Sequence, residues 1–229
     1  MIDIDLLYRR VQDLSRQYRS GFISNSEFND GVSMAQKVVM GYYYSLYEES
    51  NVVSDVLSDF VKAEPITLLN GSGDIPSDFA FKIGGYVSSF VNKEPTIEQI
   101  TEPITYVNSE HWGATLNSPI RKPRVDVENS YAMTRQNNKL LVRPMEVNEV
   151  TFIYIRKPLE AVRATNLDST TDEENFDAIN SVNLEWHEQC LQIFVDLLLY
   201  YKGLQIAASD IIDYAKTTNY VLQQNVKGN

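Results

Sequence analysis

The sequence predicts an α+β fold: a helical bundle built from the N- and C-terminal helices, with a small, mostly antiparallel β-region inserted between them. Three observations lead there. Apolar residues recur three and four apart up to residue 64 and again after Asn183, as in helices that bury one stripe. Seven of the eight prolines lie between Pro65 and Pro144 and the eighth is Pro158, so the helix breakers are confined to the middle of the chain. Within that middle, Thr151–Ile155 has β-branched or aromatic residues at five successive positions, which is high strand propensity. The whole chain, 1–229, reads as one domain. Its stretches are N-terminal helices over 1–64, a β-region over 65–158, an acidic loop or arm over 159–182 and C-terminal helices over 183–224.

Taken in order, Ile4, Leu7, Val11, Leu14 and Tyr18 form the first stripe, with Asp3 or Asp5 as cap and Gly21 as stop. Ser24 and Glu27 have capping-box spacing ahead of a second stripe, Phe28, Val32, Ala35, Val39, Tyr42 and Leu46. Gly31 and Gly41 either weaken that helix or allow close packing. A third helix is expected over about 52–61, closed by Pro65. Ile66–Leu69 reads as a short strand and Asn70–Asp74 as a turn. Phe81–Val91 reads as a second strand, with a bulge or a close backbone approach at Gly84-Gly85. Thr96–Trp112 is expected to be mostly short helix, interrupted at Pro103. Arg124–Met133 and Lys139–Arg143 read as a hairpin with Gln136–Asn138 at its tip.

In the strand Glu149–Pro158, alternation puts Val150, Phe152 and Tyr154 on one face and Ile153 and Ile155 on the other. Two apolar faces predict cover on both sides. Ala161–Asn180 is acidic and polar and reads as an exposed loop. Leu184, His187, Leu191, Phe194, Leu198 and Tyr201 make another helical stripe, with Asn183 as cap and Gly203 as stop. A last helix is expected over about 207–224.

With a formal net charge of −11 the chain is unsuited to coating nucleic acid, because phosphate binding needs a surplus of Lys and Arg. Cys190 is the one cysteine, so no intrachain disulfide is possible. The start, Met1-Ile-Asp-Ile-Asp5, lacks the basic residues and apolar run of a signal peptide. No apolar run approaches the roughly 20 residues of a membrane helix. Fourteen tyrosines favour interfaces, where an apolar ring with a polar tip is useful.

The residues offer little chemistry. Asn70-Gly-Ser-Gly-Asp74 lacks the Lys-Ser/Thr of a phosphate loop. There is no His-Glu-x-x-His, Cys-x-x-Cys or Gly-x-Ser-x-Gly. His187 and Cys190 have metal-compatible spacing, but no second pair of ligands stands out, and a core-edge role is the better reading. Asp168–Asp177 lacks the alternating ligands and glycine of a calcium loop. No catalytic residue, metal or cofactor is expected. The charge, however, is segregated. Between Ile120 and Met145 stand Arg121, Lys122, Arg124, Arg135, Lys139 and Arg143 against Asp126 and Glu128, a local balance of +4 that leaves −15 on the rest. Together with Asp168, Asp172, Glu173, Glu174 and Asp177, the basic set forms a candidate subunit contact. Repeated head to tail, such a contact gives a ring when the rotation closes.

Ile75-Pro-Ser-Asp-Phe79 after a short strand, Val150–Pro158 closing a small β-region and a final helical pair beginning near Leu184-Glu-Trp186 resemble a known family. In their order over residues 1–224 they are similar to the head-to-tail connector proteins of tailed bacteriophages, the adaptor or ring proteins stacked under the portal. Podovirus-type neck proteins and the ring proteins of crAss-like phages are the nearest comparison. The long helical start over 3–64 and Gly84-Gly85 depart from that pattern. The resemblance implies a connector-type domain in a homo-oligomeric ring, typically of twelve subunits, that joins portal to tail around a DNA channel. Its implied partners are other copies, the portal protein, downstream neck or tail rings and passing double-stranded DNA without specific binding, with no membrane. Its implied place is the virion, after assembly in the host cytoplasm. An acidic channel wall would let DNA slide by repelling phosphate. The alternative is a soluble α+β interaction or regulatory module using the tyrosine-rich Val38–Tyr47.

Overall fold

The structure, a computed structural model, describes residues 1–17, 21–47, 55–93, 96–124, 131–167, 174–203 and 213. Its elements are α1 (Ile4–Gln17), α2 (Asn25–Ser45), β1 (Val61–Thr67), β2 (Ser72–Asp74), β3 (Phe79–Lys93), β4 (Thr96–Tyr106) and α3 (Ser109–Asn117). They continue with β5 (Tyr131–Gln136), β6 (Lys139–Arg143), β7 (Glu149–Arg156), β8 (Thr165–Leu167), β9 (Glu174–Phe176) and α4 (Leu191–Tyr201). They fall into two compact units, Met1–Asp59 with Pro158–Asn229, and Phe60–Lys157.

The expected helical bundle with a small β insert is overturned. The largest element is a seven-stranded mixed sheet, in the order β1-β7-β3-β4-β5-β6-β2. Every pairing is antiparallel except β4 with β5. The sheet curls until its two edge strands meet through the two-residue turn Asn70-Gly71, where Leu69 bridges Ser72. Both turn residues have positive φ, 53° and 69°, which suits Asn and Gly. A Cβ on Gly71 would lie 2.6 Å from the carbonyl oxygen of Val142, so the turn tolerates nothing larger. Curling turns one face inward. Ile66, Val87, Ile104, Met133, Leu140, Val142, Val150, Phe152 and Tyr154 fill it as one core.

The misread stretch is Thr96–Trp112. It forms β4, and the helix there, α3, starts only at Ser109. Pro103 was read as a helix interruption, but it sits in β4 opposite Tyr86, just before the three residues that pair with β5. The expected third helix is confined, among described residues, to Asp55–Leu57 and the single turn Ser58–Phe60; residues 51–54 lie outside the described set. Pro65 does not close it. It lies within β1, an edge strand where a missing N–H is tolerated. The hairpin tip is tighter than expected, with Asn137 and Asn138 both at positive φ. Where a bulge or a close backbone approach is expected at Gly84-Gly85, the register shifts between Lys82 and Gly84, and a Cβ on Gly85 would lie 3.0 Å from the carbonyl oxygen of Thr151.

In the other unit the two long helices match their stripes. Ile4, Leu7 and Val11 of α1 are buried, as are Phe28, Val32, Ala35 and Val39 of α2. Ser24 and Glu27 form the reciprocal capping box. Gly31 admits Leu198 of α4, because a Cβ there would meet its Cδ2 at 2.8 Å. Asp3 caps α1 by accepting from the amide of Leu6 at 2.8 Å. Asn183 was expected to cap the C-terminal helix; instead its Oδ1 accepts from the amide of Ile4, so it caps α1. α4 itself starts later, after a turn over Glu188–Cys190 capped by His187, and Gly203 follows its end at φ 82°. The helix expected over 207–224 lies outside the described residues apart from Asp213.

Among its described residues, the stretch expected to be an exposed loop is partly paired, though Leu167, Glu174 and Ile179 are exposed. β8 pairs with β9, and Val162 bridges Val182. Arg163, 8% exposed, donates from Nε to Asp5 at 3.0 Å and from a terminal nitrogen to Asn25 at 3.2 Å. Its guanidinium carbon lies 4.0 Å from the Tyr8 ring centroid. Its backbone N–H donates to Asn29, and its carbonyl accepts from both Asn25 and Asn29. Without Arg163, Asp5 keeps only the exposed Arg9, 2.7 Å from its other oxygen, and the oxygen that faced Arg163 is left buried without its donor. Replacing Arg163 by Met is therefore expected to cost about 3 kcal/mol of unfolding free energy, read as a lowered denaturant midpoint. Replacement by Lys, which lacks the planar fork, is expected to recover less than half of it.

Candidate functional site

The basic set belongs entirely to the β unit. After α3, the hydroxyl oxygen of Ser118 accepts from the amides of Ile120 and Arg121, and its carbonyl accepts from the amide of Lys122. That tight turn buries Pro123 and leaves Arg121, Lys122 and Arg124 exposed. Arg135 and Lys139 flank the β5–β6 tip and are exposed as well. Arg135 lies 4.9 Å from the Phe79 ring centroid, and Lys139 is 3.9 Å from Asp74, a loose surface pair. Arg143 is different. It is half-buried and donates to the carbonyls of Val142 at 2.8 Å and Gly71 at 3.5 Å, holding the turn that joins the two sheet edges.

The acidic set belongs to the helical unit. Glu174 is exposed on β9, whereas Asp168, Asp172 and Glu173 lie outside the described residues. Asp177 is buried and committed internally. It accepts from the amides of Ile179 and Asn180 and from the Asn180 side chain, and these donors hold its carboxyl below the usual range. Asp177 and Arg143 thus serve their own turns.

His187 and Cys190 do not converge. His187 is exposed, outside the apolar stripe in which it was read, and its Nδ1 accepts from the amide of Gln189. Cys190 is buried with its Sγ 3.7 Å from the Tyr43 hydroxyl; burial raises both groups above their ordinary pKa values. Among the described residues no three His, Cys, Asp or Glu side chains gather as a metal site would require. Tyr43 packs on Trp186 at 6.1 Å between centroids, so the tyrosine-rich helix face is partly structural.

Sequence reading missed a polar cluster on the central strand. The hydroxyl of Tyr154 lies 2.8 Å from Glu64 Oε2 and 2.8 Å from Asp78 Oδ1. Lys62 Nζ stands 2.6 Å from the other oxygen of Asp78. The ladder puts Lys62 directly across from Tyr154, and Glu64 across from Phe152. Asp78 arrives from the turn Pro76–Phe79, closed by the amide of Phe79 on the carbonyl of Pro76. One hydroxyl owns one proton, so two carboxylates share a single donor. Burial, then Glu64 and Asp78, push the Tyr154 hydroxyl up. Lys62 holds Asp78 down. The visible signal was Asp78 in a proline turn, but only non-local pairing brings it to Tyr154.

No family model matches the chain, and no curated protein matches it. Among the described residues no helix is long and apolar enough to cross a membrane.

The cluster gives stability two pH limits. Tyr154 has its folded pKa raised above the ordinary 10.0, so its contribution is complete below pH 10 and is lost as pH rises through the folded value. Asp78 has its folded pKa lowered below 3.8, so its contribution is present above 3.8 and is lost as pH falls through the folded value. Tyr154→Phe is expected to cost about 1 kcal/mol at neutral pH and to flatten the alkaline limb of a melting-temperature profile. Its acid limb should persist, because Lys62 still faces Asp78. An unchanged alkaline limb would remove the hydroxyl from the account.

Proposed function

We propose that this protein is a structural virion component that assembles with its own copies into a ring in the neck of a tailed bacteriophage, joining portal to tail around the DNA passage. The observation that carries the reading is the segregation of charge on one chain. An exposed basic turn and hairpin tip, Arg121, Lys122, Arg124, Arg135 and Lys139, sit in one unit, and the acidic stretch containing Glu174 sits in the other. Opposite patches on identical subunits steer copies together head to tail, which closes into a ring at a suitable rotation. The remaining acidity, within a net charge of −11, suits a wall past which DNA slides without being held. On this reading the partners are about twelve copies of the chain, the portal above and the next neck or tail ring below. Assembly takes place in the host cytoplasm. The interaction-module alternative draws on less, since Tyr43 is already occupied by Trp186 and Cys190.

Co-expression with the portal protein of the same phage tests the proposal. Negative-stain images should show closed rings with a central channel. The double substitution Arg121→Glu, Arg135→Glu should lower the assembled fraction at least tenfold, and raised salt should weaken assembly of the unaltered chain. No ring with the portal present, or a channel wall dominated by Lys and Arg, would overturn it.

A further inference from the structure

The outward face of β1, β7 and β3 inverts the usual order of an antiparallel sheet. Such a sheet turns its apolar side chains to the core and its charges to water. Here Lys62 and Lys82 both lie opposite Tyr154, and Glu64 lies opposite Phe152, so these three charges share the face of the core. In the neighbouring β4, Glu102 does the same opposite Val87. Across the other face, Ala63, Ile153 and Gly84 form one row, and Pro65, Thr151 and Tyr86 the next. None of these six carries a charge, and all are half-buried or exposed.

Gly84 lies in the middle of that face. Glycine inside a strand weakens it, and marks a bulge, a bend or a close approach from outside. Its neighbour Gly85 is accounted for within the chain, by the Thr151 carbonyl oxygen 3.0 Å from where a Cβ would stand. Gly84 is not. A Cβ on it would meet nothing within 4 Å, and its φ is not positive. A register shift made without a left-handed residue does not call for glycine. The missing side chain therefore leaves a notch in an uncharged surface, floored by backbone and bordered by Ile153 and Tyr86.

We infer that this notch receives Ile120 of a second copy. The inference rests on the reading that the chain assembles with itself, and it names the contact. Among the described residues the two most exposed large hydrophobics are Ile120, at 92%, and Ile179, at 93%. Each sits on a pinned turn, its amide donating to Ser118 or to Asp177, so little freedom remains to be lost on docking. Charge decides between them. Arg121 and Lys122 follow Ile120, whereas Ile179 belongs to the acidic stretch with the exposed Glu174. Glu149, exposed, ends the outward face beyond Thr151. At the other end Lys157 is engaged, its Nζ 3.3 Å from the Ser77 carbonyl oxygen. An acid at the rim attracts the basic turn and repels the acidic one. Ile120 does not fill the notch of its own chain, since it is exposed and the space above Gly84 is open. Knob and notch are different surfaces, so the contact runs head to tail and closes into a ring at a suitable rotation.

Two substitutions and one cross-link in the full chain test this. Gly84→Val fills the notch with a residue that suits a strand. It should keep or raise the melting temperature and weaken self-association, alone and with the portal, by about tenfold or more in sedimentation. Ile120→Ser should leave the melting temperature unchanged and weaken association as much. For the cross-link, Thr151→Cys and Pro119→Cys, which spare Gly84 and Ile120, are made as separate proteins, mixed and treated with a short bis-maleimide. Cys190, 1% exposed, stays in place. The mixture should give a linked dimer that neither protein gives alone. A lowered melting temperature for Gly84→Val would overturn the inference, because the fold itself would then require the glycine. Either substituted protein associating as the parent does, or a parent that associates without the mixed cross-link, would overturn it and leave the ring reading standing. Thr151→Cys linking to itself would overturn it in favour of two such faces packed together. A parent that stays monomeric with the portal and gives no cross-link would overturn the contact and the ring reading together. Mixed cross-links without a ring on the portal would count against the neck reading alone.

Discussion

The ladder between β1 and β7 is the constraint on which the rest of the chain depends. Seven residue pairs run from Val61↔Ile155 to Thr67↔Glu149. They bring the place where the chain enters the β unit beside the place where it leaves. Arg156 completes the closure, its guanidinium 5.4 Å from the Phe60 ring centroid. The helical unit needs that closure, since it is assembled from segments far apart in sequence. Arg163 and Asp5 are 158 positions apart, and Asn183 and Ile4 are 179 apart. Joining such segments through an open loop would cost closure entropy; a paired ladder has already met much of it. Glu149–Pro158 is therefore central for its partners more than for its propensity.

What the sequence disclosed follows the range of the interactions involved. The α2 stripe, the α1 stripe as far as Leu14, the Ser24–Glu27 box and the shared face of Val150, Phe152 and Tyr154 are local patterns that the structure has, whereas Tyr18 lies outside the described residues and Gln136, expected at the hairpin tip, still pairs with Lys139. Thr96–Tyr106 failed because its strand state comes from non-local pairing, with β3 on one side and, among the described residues, three residues of β5 on the other. Its Ile-Glu-Gln-Ile composition favours helix in isolation, so tertiary pairing overrode a weak local preference. Asn183 failed similarly. A capping residue is legible from its type, but not the helix it caps when that helix is at the far end of the chain. Sheet order, and with it the fold class, was hidden for the same reason.

The candidate contact residues divide by what they already touch. Arg143 and Asp177 count as charges in the sequence, but in the structure one holds carbonyls at the sheet closure and the other holds amides in a turn. Arg163, which the sequence does not single out, holds Asp5 and Asn25 and stacks on Tyr8. Net charge over a window thus overstates what is offered to a partner. Arg121, Lys122 and Arg124 stay exposed on the turn that Ser118 closes.

Exposed charge and exposed apolar surface do different work in an association. Charges act over about a Debye length, roughly 10 Å at 0.1 M salt, and mainly change how often copies meet in a useful orientation. Apolar surface acts only on contact, and then holds by what it removes from water. A contact built from both separates encounter from hold. On the proposed ring reading, the basic turn 118–124 and the hairpin tip act on the rate of encounter, and growth of a head-to-tail assembly ends only when rotation returns the last copy to the first.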